Sequence, residues 1–199
     1  MAAASIRSRP RSVMISVRAA SAADAVGIAA IYAPHVAIGH ASFELEPPAP
    51  EDIATRIGAY DGLYPWLVAH NADDPTLLGF AYATQFRARA GYRWTAETGA
   101  YVLADLQGQG IGRLLYASLL ATLEAQDFNQ AVASITLPNE RSIDMHEAVG
   151  FRRAGVYRSV GFKAGQWRDV GIWQRELAPA VTPPPEPKRF AEVGVVLDS

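Results

Sequence analysis

The chain has 199 residues, 50% of them hydrophobic and 19% charged, with no cysteine and a formal net charge of −2. That size fits one domain plus extensions, and the missing cysteines exclude disulfides, thiolate metal sites and an acyl-cysteine intermediate. A near-neutral chain without a long basic run lacks the footprint of a nucleic-acid binder, and no apolar stretch approaches the ~20 residues of a membrane-spanning helix. The expected setting is cytoplasmic, with no nucleic-acid or membrane partner.

Met1 to Val13 carries Arg7, Arg9 and Arg11 among alanine and serine, with no acidic residue. We read residues 1–13 as a disordered leader, with Met14 the natural beginning of the domain. Ile15 to Arg18 alternates as a short strand. Ser21 then caps a helix whose apolar face is Ile28, Ile31, Tyr32 and Val36, and Pro34 is expected to kink or shorten it. His35, His40, Ser42 and Phe43 fall in a connecting segment. Pro50 opens a second short helix with Ile53 and Ile57 inward, which Asp61-Gly62 ends.

Trp66 to Ala69 and Leu77 to Phe86 read as a hairpin around Asn71–Pro75. Arg87 to Arg93 is a basic loop, and Trp94 to Leu103 is the next strand. A helix follows from about Gly110 to Gln126. Val132 to Leu137 is another strand, and Pro138-Asn139 leads into a helix ending near Val149-Gly150. Arg152–Phe162 and Gly165–Leu177 close the domain as two strands. Pro183-Pro184-Pro185-Glu186-Pro187 then begins a tail, so the domain is expected over residues 14–178 and a Pro-rich tail over 179–199. The order of elements implies a mixed α/β sheet with helices on both faces.

The stretch Gln107-Gly108-Gln109-Gly110-Ile111-Gly112 sits where strand periodicity gives way to helical periodicity, with Ile111, Leu115, Leu119 and Leu123 on one face. Glycines at such a junction let successive N–H groups converge on one point, which also receives the positive end of the helix dipole. A pyrophosphate is the natural occupant. Neither the GxxxxGK[ST] loop nor GxGxxG is present.

Two further residues attract attention. Glu97 interrupts an apolar strand and shares its face with Gly99, Tyr101 and Leu103. By itself it is either an exposed carboxylate, the usual fate of glutamate, or an acid–base group. His146 is a lone histidine in a helical segment, either structural or catalytic. His35, His40 and His70 share no metal-ligand spacing, so no metal is expected.

Q-x-x-G-x-G from Gln107 to Gly112 resembles the acetyl-CoA signature of the GNAT superfamily of N-acetyltransferases. One strand later, Asn139-x-x-Ser-x-x-x-His146-x-x-x-Gly150-Phe151 resembles that fold's final helix. Ala41-Ser42-Phe43-Glu44, Tyr64–Ala69, Trp94–Glu97, Leu137–Asn139, His146–Ala148 and Asp169–Gln174 are similar to blocks in phosphinothricin and methionine-sulfoximine acetyltransferases. The resemblance spans roughly Ile15 to Leu177.

The resemblance implies the GNAT fold: a mixed, mostly antiparallel sheet of six to seven strands flanked by about four helices. It implies acetyl-CoA as acetyl donor, a small amino-acid-like acceptor and a homodimer. The main chain of Gln107, Gly108, Gln109, Gly110, Ile111 and Gly112 would hold the pyrophosphate, with charge added by Arg113. Val102 and Leu103 would pair with the pantetheine arm, and Asn139 would bond it. Glu97 would be the base and His146 the acid; the reverse, with His146 as base and Glu97 binding the ammonium group, stays open. A free glutamate, at about 4.3, is a weak proton acceptor, so a water or burial around Glu97 is expected. Phe43, Arg87, Tyr92, Arg93, Trp94, Tyr157 and Lys163 fall in the family's substrate-pocket regions. Specialised resistance enzymes tend to carry histidine where this chain has Ala164 and Arg168, which argues against a dedicated herbicide-detoxifying role and leaves open a housekeeping amino-acid N-acetyltransferase with some phosphinothricin activity. The competing readings are an acetyl-CoA-binding sensor without catalysis and a protein N-terminal acetyltransferase.

Overall fold

The structure, a computed structural model, describes residues 14–39, 41–72 and 74–197. The expected leader and His40 lie outside them. Seven strands form one sheet in the order β1-β2-β3-β4-β5-β7-β6: β1 Ile15–Ala19, β2 Trp66–Asn71, β3 Leu77–Gln85, β4 Thr95–Val102, β5 Gln130–Thr136, β6 Arg152–Lys163 and β7 Gln166–Glu176. Every neighbouring pair is antiparallel except β4 and β5. The helices are α1 Ala25–Ala37, α2 Pro50–Ile57, α3 Ile111–Ala125, α4 Glu140–Ala148 and a single turn, α5, at Phe190–Val193.

The parallel pairing of β4 and β5 is short. Its register runs only from Thr95↔Gln130 to Glu97↔Val132. Beyond Glu97 the two strands part, although β4 continues to Val102 and β5 to Thr136. A parallel neighbour needs a crossover, and α3 supplies it. Ile111, Leu115, Leu119 and Leu123 are all buried on the sheet, as their spacing predicts. Each such side chain contributes about 1.5–3 kcal/mol when fully buried.

Two apolar clusters cover the two faces. One joins α3, Tyr116, Phe128 and Phe151 to the inward residues of the sheet, among them Ala96. The other joins Ile28, Ile31, Tyr32 and Val36 of α1 with Ile53 of α2, Trp66, Val68 and Phe80. Alternation on β4 sends Ala96, Ala100 and Val102 to the first face and Tyr101 to the second.

Pro34 does not shorten α1. The helix runs on to Ala37, and the Pro34 carbonyl accepts from Ile38 and Gly39, so the ring is absorbed in the final turn. The segment after Leu177 is also more than a tail. It folds back and forms α5, with Phe190 and Val195 packed on the α3-side cluster. Lys188 and Gln126 exchange main-chain and side-chain bonds there, and the Val196 N–H reaches Thr122 Oγ1.

Candidate active site

The glycine stretch forms the entry to α3. Gly108 and Gly110 both take positive φ, +80° and +85°, a conformation that costs other L-residues about 1–2 kcal/mol. Leu114 is the first residue whose N–H returns to the helix, bonding the Gly110 carbonyl. The N–H groups of the first turn are therefore left for a ligand. Beside them lies a cavity of about 440 Å³ lined by Val102, Gln107, Gly108, Gly110, Gly112, Arg113, Asn139 and His146 among others. It also takes in Arg141, which sequence reading missed and whose guanidinium donates to Gln107 Oε1. Ile111 is buried in the core, and Gln109 is exposed with its amide on the Asp105 carbonyl. The side chains of these two residues therefore serve the loop.

Asn139 begins α4, where its Oδ1 accepts from the Ser142 N–H at 3.3 Å. That cap satisfies one orphan donor and leaves the amide N–H groups for the cavity. Val102 and Leu103 differ from each other. The Leu103 N–H bonds the Leu78 carbonyl at 3.0 Å, so Leu103 belongs to the β3 side and not to the open edge. Alternation of antiparallel pairs then turns the main chain of Val102 and Ala100 toward the gap left by β5. His35 Nε2 donates to the Val102 carbonyl at 3.2 Å and lines the same cavity; a connecting-segment reading of His35 had no means to foresee this.

Glu97 is half-buried and lines a second cavity, of about 330 Å³, with Tyr32, Ser42, Phe43, Tyr82, Gly99 and Ser134. Ser134 Oγ donates to Glu97 Oε1 at 2.8 Å. The segment over this cavity is tied down at several points. Tyr32 bonds Ser42 Oγ at 2.7 Å and Glu44 Oε1 at 3.0 Å, Arg56 grips Glu44 with two bonds, and buried Lys163 donates to the Ser42 carbonyl at 2.6 Å. Arg56 holds the Glu44 carboxyl below its ordinary value, and burial pushes the Lys163 ammonium down. A third cavity, of about 370 Å³, is walled by Trp66, Phe80, Tyr60 and Tyr64 and meets the second at Tyr32, Tyr82 and Thr84.

His146 sits on the other face. Its ring is buried against Tyr116 and Phe151. Nδ1 lies 2.7 Å from the Ser142 carbonyl, which can only accept, so Nδ1 carries the proton. Nε2 of the neutral ring then accepts from the Tyr116 hydroxyl at 2.7 Å. Burial lowers the imidazole below its ordinary value of 6.5. Glu97 and His146 thus approach the β4–β5 gap from opposite faces. The two cavities nevertheless share Ala41, Thr98, Gly99, Tyr101, Ser134 and Thr136, the residues at the parting of the strands.

The remaining substrate candidates lie apart from these cavities. Arg93 pairs with Glu186 and stacks on Trp94, whose indole N–H bonds the Pro185 carbonyl at 2.6 Å. Both residues therefore hold the C-terminal segment. Arg87 donates to the Tyr157 hydroxyl at 3.4 Å and lies over the rings of Phe86 and Tyr92. Among the described residues there is no cluster of three or more metal-ligating side chains, and no helix is long and apolar enough to cross a membrane.

Residues 17–172 match the acetyltransferase (GNAT) domain family. The chain belongs to the GNAT acetyltransferase family. It is 38% identical to a phosphinothricin N-acetyltransferase of Streptomyces viridochromogenes over 88% of this chain and 93% of that one. It is 35% identical to an L-methionine sulfoximine/L-methionine sulfone acetyltransferase of Pseudomonas paraeruginosa, over 85% of this chain and 98% of the relative. Among solved structures, the phosphinothricin acetyltransferase of Sinorhizobium meliloti in complex with acetyl-CoA superposes with a TM-score of 0.81. It is 35% identical and covers 86% of this chain and 94% of its own. The seven-stranded, mostly antiparallel sheet of this GNAT acetyltransferase agrees with the architecture its sequence implies.

Proposed function

We propose that this GNAT acetyltransferase moves an acetyl group from acetyl-CoA directly to the amino group of a small amino-acid-like substrate of the phosphinothricin or methionine-sulfoximine type. The carrying observation is the meeting of two cavities at the gap between β4 and β5, one lined by the glycine loop and one by Glu97. The names of the relatives above support the acceptor class.

The residues present fit the cofactor. The N–H groups of the first turn of α3, with the Gly108 and Gly110 loop and the guanidinium groups of Arg113 and Arg141, suit a pyrophosphate. The main chain of Ala100 and Val102 suits an extended amide-bearing arm, with Asn139 beside it. When bound, acetyl-CoA supplies the activated acetyl carbonyl and a thiolate leaving group. Glu97 takes the proton that the acceptor nitrogen loses on acylation. General base catalysis of this kind contributes typically 10²–10⁴-fold. With both ring nitrogens of His146 bonded inside the protein, Glu97 is the better base. We assign His146 to holding Tyr116 and the start of α4 against the cavity.

Phe43 roofs the acceptor cavity, and Lys163 holds that roof through Ser42. Arg87, held by Tyr157 and Tyr92, lines none of these cavities and is given no part in acceptor binding. We further propose a cytoplasmic homodimer built on the β6–β7 hairpin. There, edge strand β6 presents Tyr157, Val160 and Phe162, and β7 adds Trp167, all at least half exposed. Light scattering would report the dimer mass.

Turnover of acetyl-CoA with phosphinothricin, methionine sulfoximine and methionine sulfone, followed by thiol release, tests the function. Glu97→Gln should lose about 100-fold or more in kcat with acetyl-CoA affinity kept. Unchanged turnover in that variant would remove Glu97 from the mechanism. Acetyl-CoA binding without turnover on any amine would favour a sensor, and acetylated peptides by mass spectrometry would favour protein N-terminal acetylation.

A further inference from the structure

Ser134 occupies a position that no other polar residue of β5 shares. The paired part of β4 and β5 ends at Glu97↔Val132, so two residues on, on the same face, Ser134 is the first side chain beyond the fork. Its neighbours Ala133 and Ile135 are buried, whereas Ser134 is exposed. It lines both the glycine-loop cavity and the Glu97 cavity. Its hydroxyl donates to Glu97 Oε1 at 2.8 Å. Thr136, the next residue on that face, also lines both cavities but is buried and has no described bond to Glu97. On its other side β5 is paired with β7, Ser134 lying opposite Ile172, which holds the Ser134 backbone in place.

We infer that Ser134 is a proton relay between the acceptor amine and Glu97. The inference rests on the acetyltransfer reading above. A hydroxyl suits the task because it can accept one proton while giving another. As the amine nitrogen bonds the acetyl carbon, its N–H proton passes to Ser134 Oγ, and the Ser134 O–H proton passes to Glu97 Oε1. The carbon–sulfur bond breaks and its electron pair leaves with the sulfur. Serine is neutral before and after, and Glu97 ends protonated, so charge and atoms balance. The relay brings basicity from the Glu97 side of the sheet to the gap that both cavities share. Sequence reading passed over it because a serine in AVASIT is an ordinary strand residue.

The test uses the full chain and four variants: Ser134→Ala, Ser134→Thr, Glu97→Gln and the Ala/Gln double variant. Calorimetry with acetyl-CoA and wild-type turnover check the underlying reading independently of Ser134. The relay predicts that Ser134→Ala lowers kcat about tenfold or more, with KM for acetyl-CoA within twofold of wild type. Ser134→Thr, which keeps the hydroxyl, should restore most of kcat. In the Glu97→Gln background Ser134→Ala should cost nothing further, because the two residues act on one proton. A Ser134→Ala enzyme with wild-type kcat, a threonine variant as slow as alanine, or losses that multiply in the double variant would each overturn the relay. A wild-type chain that binds no acetyl-CoA and acylates no amine would overturn the acetyltransfer reading itself, and the relay with it.

Discussion

The hydroxyl of Tyr116 and Nε2 of His146 lie 2.7 Å apart, and the donor is the tyrosine, because Nδ1 spends the only ring proton on the Ser142 carbonyl. Tyr116→Phe would strip Nε2 of its donor in a buried site. A buried acceptor left unsatisfied costs about 1–3 kcal/mol. Urea denaturation should show a loss in that range. Stability equal to wild type would mean that the bond is absent in solution.

The same environment makes stability depend on pH. Burial holds the His146 imidazole below 6.5, so in the unfolded chain it protonates first. Below about 6.5 the unfolded state therefore binds more protons than the folded one, and stability falls as pH drops toward the lowered value. Above that window His146 contributes no slope. His146→Gln should flatten the pH dependence of urea midpoints between about pH 5 and 7. An identical slope in the variant would assign it to other groups.

Gly110 carries φ +85° at the entry to α3. Alanine there costs about 1–2 kcal/mol in backbone strain unless the loop relaxes. Relaxation would misdirect the N–H groups that we propose hold the pyrophosphate. Gly110→Ala should weaken acetyl-CoA binding about tenfold by calorimetry, with a smaller change in acceptor KM. Unaltered binding would locate the pyrophosphate elsewhere.

At Gly161 a Cβ would stand 2.2 Å from the Phe43 ring. Gly161→Ala must push that ring off its place over the Glu97 cavity, the one we assign to the acceptor. Steady-state kinetics should show a raised acceptor KM with acetyl-CoA binding intact. If both constants stayed at wild-type values, Phe43 would have no part in acceptor binding.

Truncation after Ala178 removes the contacts of Phe190 and Val195 with the α3-side cluster. Both residues are partly buried, so the expected loss is about 2–4 kcal/mol. Glu186→Ala alone, by contrast, breaks an ion pair whose members are 41% and 68% exposed, and such pairs are worth about 0–1 kcal/mol. Thermal unfolding of the two variants separates the effects. Equal shifts would give the surface pair the greater role.

Most of the element order is legible in the sequence, because period-two and period-3.6 patterns report which face is buried. Ile111, Leu115, Leu119 and Leu123 declare α3 without help from the rest of the chain, and Gly108 and Gly110 declare the turn that precedes it. The expectation that Pro34 would shorten α1 failed because the ring sits near the last turn and removes little, and the pantetheine pairing that the resemblance implied for Leu103 failed because its N–H is bonded to Leu78 of a different strand. Arg93 and Trp94 were equally opaque, since their partners Glu186 and Pro185 are about 90 positions away.

What the amino-acid order determined alone was the glycine-rich turn before α3, a carboxylate at Glu97 within an apolar strand, the helix carrying His146 and the family to which they belong. What tertiary structure decided was how those parts face one another. β4 and β5 part after Glu97, so the carboxylate and the imidazole reach the gap from opposite faces. Ser134, anonymous in the sequence, stands at the fork with its hydroxyl on Glu97. Periodicity records burial along one strand, whereas the divergence of two strands depends on contacts between residues remote in the chain, and only the assembled sheet contains that information.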